Sequence, residues 1–240
     1  SFSWITKMTK FNLNNDQVSK LYQVKNIESQ DDFLLLLENA LVDSSRRICT
    51  SRKKNTLAKN FTKLCESAKN GFSDSKSLKS HIKLLEKVLE DDITCRIVEH
   101  LDLQGFHASH ESDHNGHVDI LVQTDDKVYT WLGEAKLYKG SRYSEKGLYQ
   151  LVSDYSTGAE NESGGVLLYL NETRLQVKEI MNEWQSHLTN LSVDLTNRLE
   201  GLTFEPKKGT SAIFYTNHIH HRSGDPYRIR HCCLDIRAEF

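Results

Sequence analysis

The sequence predicts an α/β protein in which a core of alternating strands and helices follows an N-terminal helical subdomain. Apolar residues recur at three- and four-residue steps in two segments between residues 30 and 90, which is typical of amphipathic helices. Between residues 117 and 236, period-two alternation and β-branched or aromatic residues mark strands, and helix-like segments separate them. Only two prolines occur in 240 residues, so we expect long, continuous elements.

The N-terminal part is predicted to be an arm followed by helices. The arm has few periodic signals and includes a short helix at Asp16–Gln23. Helix Phe33–Ile48 follows from its apolar spacing, with Asp31 and Asp32 as its caps. A further helix is indicated by the apolar stripe of Ser75–Glu90.

A basic stretch lies between these two helices. Residues 46–63 contain seven cations and no acid. Leu57, Phe61 and Leu64 would form the apolar side of a helix here, which leaves the cations facing outwards. The cations are then either a solvated helix face or a patch that tracks phosphates.

We expect residues 1–90 to form the arm and helical subdomain, and residues 91–240 to form the second domain. The elements predicted in the second domain are a helix at Thr94–Gln104, a polar hairpin through Asn115-Gly116, strands at His117–Gln123 and Val128–Leu137, a helix at Glu145–Tyr155, a strand at Val166–Leu170, a helix at Thr173–Leu188, and strands at Thr210–Thr216 and Arg230–Ile236. The segment Leu191–Gly201 fits either a strand or a helix.

Composition restricts the class of protein. A net charge of −2 and a pI near 6.6 exclude a uniformly basic nucleic-acid coat protein. The mean hydropathy is −0.57, and no apolar run approaches the roughly 18 residues of a membrane helix. Five cysteines without C-x-x-C spacing argue against a disulfide framework or a structural zinc site. The sequence shows no basic-then-apolar leader, and we expect a cytoplasmic protein that does not bind membranes.

Two predicted strands carry charged residues within otherwise apolar patterns. Asp119 lies in the first strand, on the face opposite to Val118 and Ile120. Glu134 and Lys136 are two residues apart in the second strand, so they project from one face. Carboxylates and an ammonium group are costly to bury without a ligand or mutual pairing. Their convergence would therefore indicate a functional site.

These residue types suit metal-assisted chemistry on a phosphate. Asp119 and Glu134 would supply hard oxygen ligands for Mg²⁺ or Mn²⁺, and Mg²⁺ usually takes one or two protein carboxylates together with water and substrate phosphate. Lys136 would face the scissile phosphate, where it could stabilise negative charge or orient and help to deprotonate the attacking water. The alternative is a surface hairpin that carries an ordinary Glu–Lys pair.

The order of elements across residues 92–170 resembles the PD-(D/E)XK, or restriction-endonuclease-like, nuclease superfamily. The shared order is helix, hairpin, acid-bearing strand, E-x-K strand, helix, strand. This resemblance implies a central mixed β-sheet flanked by helices and a metal-dependent nuclease activity, on DNA in preference to RNA. It also implies that Ala135 offers its backbone carbonyl to the metal and that Gln150, on the following helix, supports substrate or water.

The chain departs from the family pattern at two places. The proline that precedes the aspartate in the family is Val118 here. In the subgroup with a Gln-x-x-x-Tyr helix, the tyrosine follows the glutamine by four residues, whereas Asp154 holds that place here and Tyr155 comes next.

Many members of that superfamily carry a further acid near the start of the first helix. The candidates in this chain are Glu90, Asp91, Asp92 and Glu99. We favour Asp92, although helix capping and the helix dipole explain acids at such a position equally well.

The same resemblance gives expectations about partners. Compact nucleases of this type with an added helical part resemble effectors of bacterial restriction or anti-phage systems, which are often paired with an ATPase or sensor protein and often form homo-oligomers. The alternative function is a catalytically idle nucleic-acid-binding or assembly subunit with the same fold.

Histidines form two further groups in the sequence. The groups are His107, His110, His114 and His117, and then His218, His220 and His221. His218 and His220 share a strand face and could bind zinc with a third ligand. Because no zinc-binding signature accompanies them, we favour polar edge positions or phosphate contacts for both groups.

Overall fold

The computed structural model describes residues 16–113, 117–193 and 198–237. Most of the predicted arm, His114 and the predicted Asn115-Gly116 turn lie outside these residues, as do the side chains of Arg52 and Lys53. The described chain has an α/β architecture, with helices on both sides of a seven-stranded mixed sheet. Among the described helices, none is both long enough and apolar enough to cross a membrane.

The described chain contains six α-helices, one π-helical turn and seven strands. The helices are α1 (Asp16–Lys25), α2 (Gln30–Cys49), α3 (Ser51–Gly71), α4 (Ser75–Leu103), α5 (Ser141–Tyr149) and α6 (Val177–Ser192), and the π-helical turn is Gln150–Tyr155. The strands are β1 (His107–Asp113), β2 (His117–Gln123), β3 (Thr130–Leu137), β4 (Glu162–Leu170), β5 (Glu200–Pro206), β6 (Ile213–Ile219) and β7 (Pro226–Asp235).

Helices α2 and α3 bury the apolar faces that their sequence spacing indicates, with two differences from prediction. Ser29, rather than Asp31 or Asp32, caps α2, because its hydroxyl accepts the Asp32 N–H at 3.1 Å. In α3, Leu57 and Phe61 are buried as predicted but Leu64 is exposed. Cys65 and Ala68 complete the buried stripe, since they continue the spacing from Leu57 at steps of three and four.

Helix α4 is one continuous element of 29 residues, where the sequence predicted two helices. No glycine or proline interrupts Ser75–Leu103, so nothing in the backbone ends the first predicted helix near Glu90. Asp74 caps the start by accepting the Ser77 N–H at 2.7 Å, and Gly105 follows the end with a positive φ of 100°. The predicted domain boundary between residues 90 and 91 therefore lies inside a helix.

The sheet has the order β1-β2-β3-β4-β7-β6-β5. Strands β3, β4 and β7 run parallel to one another at its centre, whereas β1 and β2 on one side, and β6 and β5 on the other, are added by antiparallel pairing. The undecided segment after α6 leads into a strand, β5. Strand β7 begins four residues before the predicted strand, at Pro226, and β6 begins three residues after its predicted start, at Ile213.

Each face of the sheet has its own apolar layer. Helices α2, α3 and α4 pack on one face, and their residues Phe33, Leu37 and Ile97 form one cluster with Ile120 and Trp131 of the sheet. Helices α5 and α6 and the π-helical turn cover the other face, with a cluster that contains Leu132, Leu148, Leu151, Val166 and Trp184. The N-terminal helices thus share a core with the sheet.

Candidate functional site

Asp119 lies where the β2–β3 ladder ends. The paired residues of the two strands reach as far as Ile120 and Gly133. One step further along, the Asp119 side chain, rather than a backbone carbonyl, accepts the N–H of Ala135, at 2.8 Å from its Oδ2. This hydrogen bond fixes the Asp119 carboxylate against β3, beside Glu134.

Glu134 and Lys136 meet Asp119 at this point. Glu134 is 1% exposed. The Nζ of Lys136 forms an ion pair with Oε1 of Glu134 and lies 3.9 Å from Oδ2 of Asp119. The structure therefore brings all three side chains together, on the face of the sheet that α5 covers.

The electrostatics of this cluster are unusual for a folded protein. Burial, together with the nearby carboxylate of Asp119, raises the pKa of Glu134 to about 8. Burial alone would lower the pKa of Lys136, but Glu134 and Asp119 outweigh it and raise that pKa above its ordinary value. Among the described residues, no group donates a hydrogen bond to Oε2 of Glu134. The site thus contains a buried carboxylate with unused acceptor capacity.

Glu90 is the upstream acid that the structure places at this site. Its Oε2 accepts the N–H of Leu137, at 2.6 Å, so α4 reaches the end of β3 from the other layer. Burial raises the pKa of Glu90, and Lys136 and Asp119 are among the charges that act on it. Sequence reasoning favoured Asp92, which instead pairs with Arg96 at 3.2 Å near the surface.

The two remaining candidate acids have different positions. Asp91 is partly buried and acts electrostatically on Glu90, whereas Glu99 is exposed, further along α4. Helical geometry explains why neither joins Glu90, since at about 100° per residue Asp91 points about 100° and Glu99 about 180° away from the direction of Glu90.

Gly147 allows α5 to lie directly over the site. A Cβ atom at this position would lie 3.0 Å from Cγ of Glu134 and 3.1 Å from Cγ of Lys136. These distances are shorter than ordinary van der Waals contacts, so a side chain here would have to displace the site residues. The absence of a side chain at Gly147 is what lets the helix exclude water from Glu134.

Gln150 begins the π-helical turn, and Tyr155 ends it. In this turn the N–H of Ser156 donates to the carbonyl of Leu151 at 2.9 Å, a bond between residues five apart. A π-helical turn brings residues five apart to one face, and Nε2 of Gln150 donates to the Tyr155 hydroxyl at 3.2 Å. Asp154, which holds the fourth position after Gln150, is exposed.

Tyr155 belongs to the electrostatic environment of the site. Burial raises its pKa to about 12, and the charges of Glu134 and Asp119 act in the same direction. Sequence reasoning did not assign Tyr155 a role, because α-helical spacing from Gln150 selects Asp154. The signal that could have found it is the spacing of five residues, which suits a π-helical turn.

The described residues have donors of the kind that Mg²⁺ and Mn²⁺ require. No group of three or more His, Cys, Asp or Glu side chains in the described ranges is arranged to hold a metal by itself. Mg²⁺ nevertheless needs only one or two protein carboxylates, and Asp119 and Glu134 provide two, one of them with an oxygen that lacks a donor. The ligand chemistry of this pair therefore fits a hard divalent cation.

The C-terminal histidines His218 and His220 are 2% and 1% exposed, so they are buried in the fold and do not occupy the predicted polar edge positions. His220 bonds to the hydroxyl of Ser156 at 2.8 Å. His231 accepts from Nε1 of Trp184 at 3.1 Å and lies 2.8 Å from Oγ1 of Thr216. Burial lowers the pKa of His231 to about 3, which keeps its ring neutral. No zinc cluster that includes these side chains occurs in the described part of the chain.

The fold and the site together define an α/β protein with a carboxylate–lysine cluster on its central sheet. No protein-family model, curated protein or solved structure matches this chain.

Proposed function

We propose that this protein is a Mg²⁺- or Mn²⁺-dependent nuclease of the PD-(D/E)XK type that hydrolyses phosphodiester bonds, in DNA rather than RNA. The observation that carries the proposal is the convergence of Asp119, Glu134 and Lys136, with a Glu134 carboxylate that is buried and has an oxygen without a donor. A buried, under-satisfied carboxylate is destabilising by itself. Buried ionisable groups that destabilise the fold in this way occur most often at functional sites.

Asp119 and Glu134 would hold the cation, with the backbone carbonyl of Ala135 as a further ligand implied by the family resemblance. When bound, the cation would make water more acidic and neutralise charge on the phosphate. The hydrogen bond from the Ala135 N–H fixes the orientation of the Asp119 carboxylate, and this supports the proposed role.

Lys136 would stabilise the negative charge that develops on the phosphate. The carboxylates around it favour its ammonium form, so it acts as a cation and hydrogen-bond donor rather than as a general base. Glu90 would orient the end of β3 through the Leu137 N–H. Gln150 and Tyr155 would contact water or substrate from the π-helical turn, as one hydrogen-bonded pair.

The cellular role follows by analogy alone. The five cysteines are free, which fits a reducing, cytoplasmic setting. We extend the proposal to a bacterial restriction or anti-phage system, in which an ATPase or sensor protein controls the nuclease.

Nicking of supercoiled plasmid DNA tests the activity. The protein is incubated with Mn²⁺ or Mg²⁺, and EDTA is added to parallel samples. Metal-dependent nicking that Glu134→Ala and Lys136→Ala abolish would support the proposal. Glu160→Ala and Lys178→Ala remove the same residue types from exposed positions, and should retain full activity.

Full cleavage by the Glu134 and Lys136 variants would refute the assignment. If the parent protein never nicks DNA but still binds it, the catalytically idle subunit becomes the better interpretation. Repeating the assay with an RNA transcript of the same sequence tests the preference for DNA.

A further inference from the structure

Four lysines form one row on α4 that leads to Glu90. The row consists of Lys76, Lys79, Lys83 and Lys87, hereafter the lysine row, and all four side chains are exposed. Steps of three, four, four and three residues connect these lysines to Glu90, so they share one face of the helix. At 1.5 Å per residue, the lysine row covers about 17 Å, and Glu90 lies about 5 Å further along the helix.

Lys79 and Lys83 have no carboxylate partner among the described residues. Glu86 is the acid on the same face, and Lys139 neutralises it through a close ion pair. The row is therefore a locally cationic surface in a chain whose net charge is −2. Surfaces of this kind attract a polyanion through release of its counterions.

The lysine row continues at α5. Lys139, which contacts Glu86, also lies with its Nζ 5.4 Å from the ring centre of Tyr143. The Nζ of Lys146 lies 5.8 Å from the same ring. Tyr143 is partly exposed, between two cations and one turn before Gly147. Both ammonium groups lie over the ring, so a base that stacks on Tyr143 takes the place of one of them, and the displaced lysine is then free to contact a backbone phosphate.

From this continuous surface we infer that the protein binds a single nucleic-acid strand, with phosphates along the lysine row and a base stacked on Tyr143. The inference rests on the proposed nuclease function, because the row ends at Glu90 and Tyr143 precedes the residue that covers Glu134. Bases in a duplex are already stacked on their neighbours, so Tyr143 selects a strand whose bases are free.

Fluorescence anisotropy with a fluorescein-labelled 20-nucleotide oligothymidylate tests the surface. The measurements use the full chain in EDTA, so that cleavage plays no part, at several KCl concentrations. The double variant Lys79→Glu/Lys83→Glu should bind about tenfold more weakly. The slope of log K against log salt should decrease by about 1.4, which corresponds to about 0.7 for each lost phosphate contact on a single strand.

Two exposed lysines away from α4 offer a matched control. Lys178 on α6 and Lys208 between β5 and β6 are both exposed, so Lys178→Glu/Lys208→Glu makes the same change in charge elsewhere on the surface. This variant should bind within twofold of the parent. Equal weakening by the two double variants, or no weakening by the α4 variant, would overturn the inference.

Tyr143 requires a separate comparison. Tyr143→Ala should weaken oligothymidylate binding about fivefold or more without changing the salt slope, and Tyr143→Phe should restore it, because stacking needs only the ring. A blunt 20-base-pair duplex should show no such dependence on Tyr143. If Tyr143→Ala affects strand and duplex equally, the single-strand preference is wrong.

The outcomes distinguish this inference from the proposed function. If the protein binds oligothymidylate through the lysine row but never cleaves DNA, the inferred binding surface stands and the proposed nuclease function is wrong. If the protein cleaves DNA and the α4 double variant binds like the parent, the nuclease function stands and the inferred binding surface is wrong. Absence of measurable binding by the parent also overturns the inference.

Discussion

Replacing Glu134 with glutamine tests how the site is built without requiring any ligand. Burial and Asp119 raise the pKa of Glu134 from 4.5 to about 8. Between these values the folded protein retains a proton that the unfolded chain has lost. The carboxyl therefore costs no stability at low pH, begins to cost stability above about pH 4.5, and costs progressively more until about pH 8.

The loss of stability at pH 7 follows from the difference between pH 7 and the ordinary pKa of the Glu134 carboxyl. About 2.5 pH units at about 1.4 kcal/mol each give a penalty of roughly 3 kcal/mol as an upper value. Glutamine has the shape of the protonated carboxyl and does not titrate. Glu134→Gln should therefore raise the free energy of unfolding by up to that amount at pH 7, and by less than about 1 kcal/mol at pH 5.

Urea and thermal unfolding in EDTA at pH 5, 6, 7 and 8 measure this difference. For a chain of this size, each kcal/mol corresponds to about 2–4 °C in Tm. Lys136 still has a counter-ion in the variant, because Asp119 lies 3.9 Å from its Nζ. If the variant is less stable than the parent at pH 7, or if the gap does not widen from pH 5 to pH 8, the reasoning fails.

Glu162 provides the matched control on the neighbouring strand. It is also buried, but its oxygens accept from the N–H and hydroxyl of Thr157, both at 2.9 Å, and from the N–H of Gly158 at 3.1 Å. Glu162→Gln should lower stability by about 1–3 kcal/mol, because charge-assisted hydrogen bonds are lost. The same substitution is thus expected to raise the free energy of unfolding at Glu134 and to lower it at Glu162.

Three further predictions concern packing, the π-helical turn and a buried ion pair. Gly147→Ala should lower stability by about 1–3 kcal/mol in urea unfolding, because the new methyl group crowds the site. Gly71→Ala is the control: nothing lies within 4 Å of its new Cβ, so it should be neutral or stabilising by up to about 1 kcal/mol. Equal effects of the two substitutions would contradict this prediction. Deleting the exposed Asp154 should change the free energy of unfolding by less than about 1 kcal/mol, because the deletion turns the π-helical turn into an α-helical one. A deletion of one residue within α6 is the control and should unfold the chain. If deleting Asp154 also unfolds the chain, the prediction is wrong. Glu38→Gln removes the partner of Arg230, which is 5% exposed and donates to Glu38 at 2.5 Å; urea unfolding should show a loss of about 3–5 kcal/mol, and a loss below about 1 kcal/mol would be inconsistent with a buried charge pair.

The elements that sequence predicted best are those with strong periodicity. The strands that bear Asp119 and Glu134 were located within two residues. The predicted face of Val118 was wrong, because Val118 packs in the cluster of Leu121 and Leu132, whereas Ile120 belongs to the cluster on the opposite face. The continuity of α4 was not predicted. Asp91 and Asp92 indicated the start of a new helix. Aspartates also occur inside helices, however, and no glycine or proline ends α4 near Glu90.

The candidate site was partly accessible from sequence. Glu134 and Lys136 lie on one strand, so their proximity follows from local geometry. Glu90 comes from a helix in the other layer, and its approach to Leu137 depends on how α4 packs against the sheet, which no local pattern specifies. Tyr155 was missed because α-helical spacing was assumed where the backbone forms a π-helical turn.

Binding of Mn²⁺, followed by electron paramagnetic resonance of the free ion, tests the central claim that Asp119 and Glu134 form a cation site. The titration needs no substrate, so it separates the site from the reaction. The parent protein and Glu162→Gln should each take up Mn²⁺ at one saturable site, and Asp119→Asn and Glu134→Gln should each lose it. Undiminished Mn²⁺ binding by both of these variants would contradict the account.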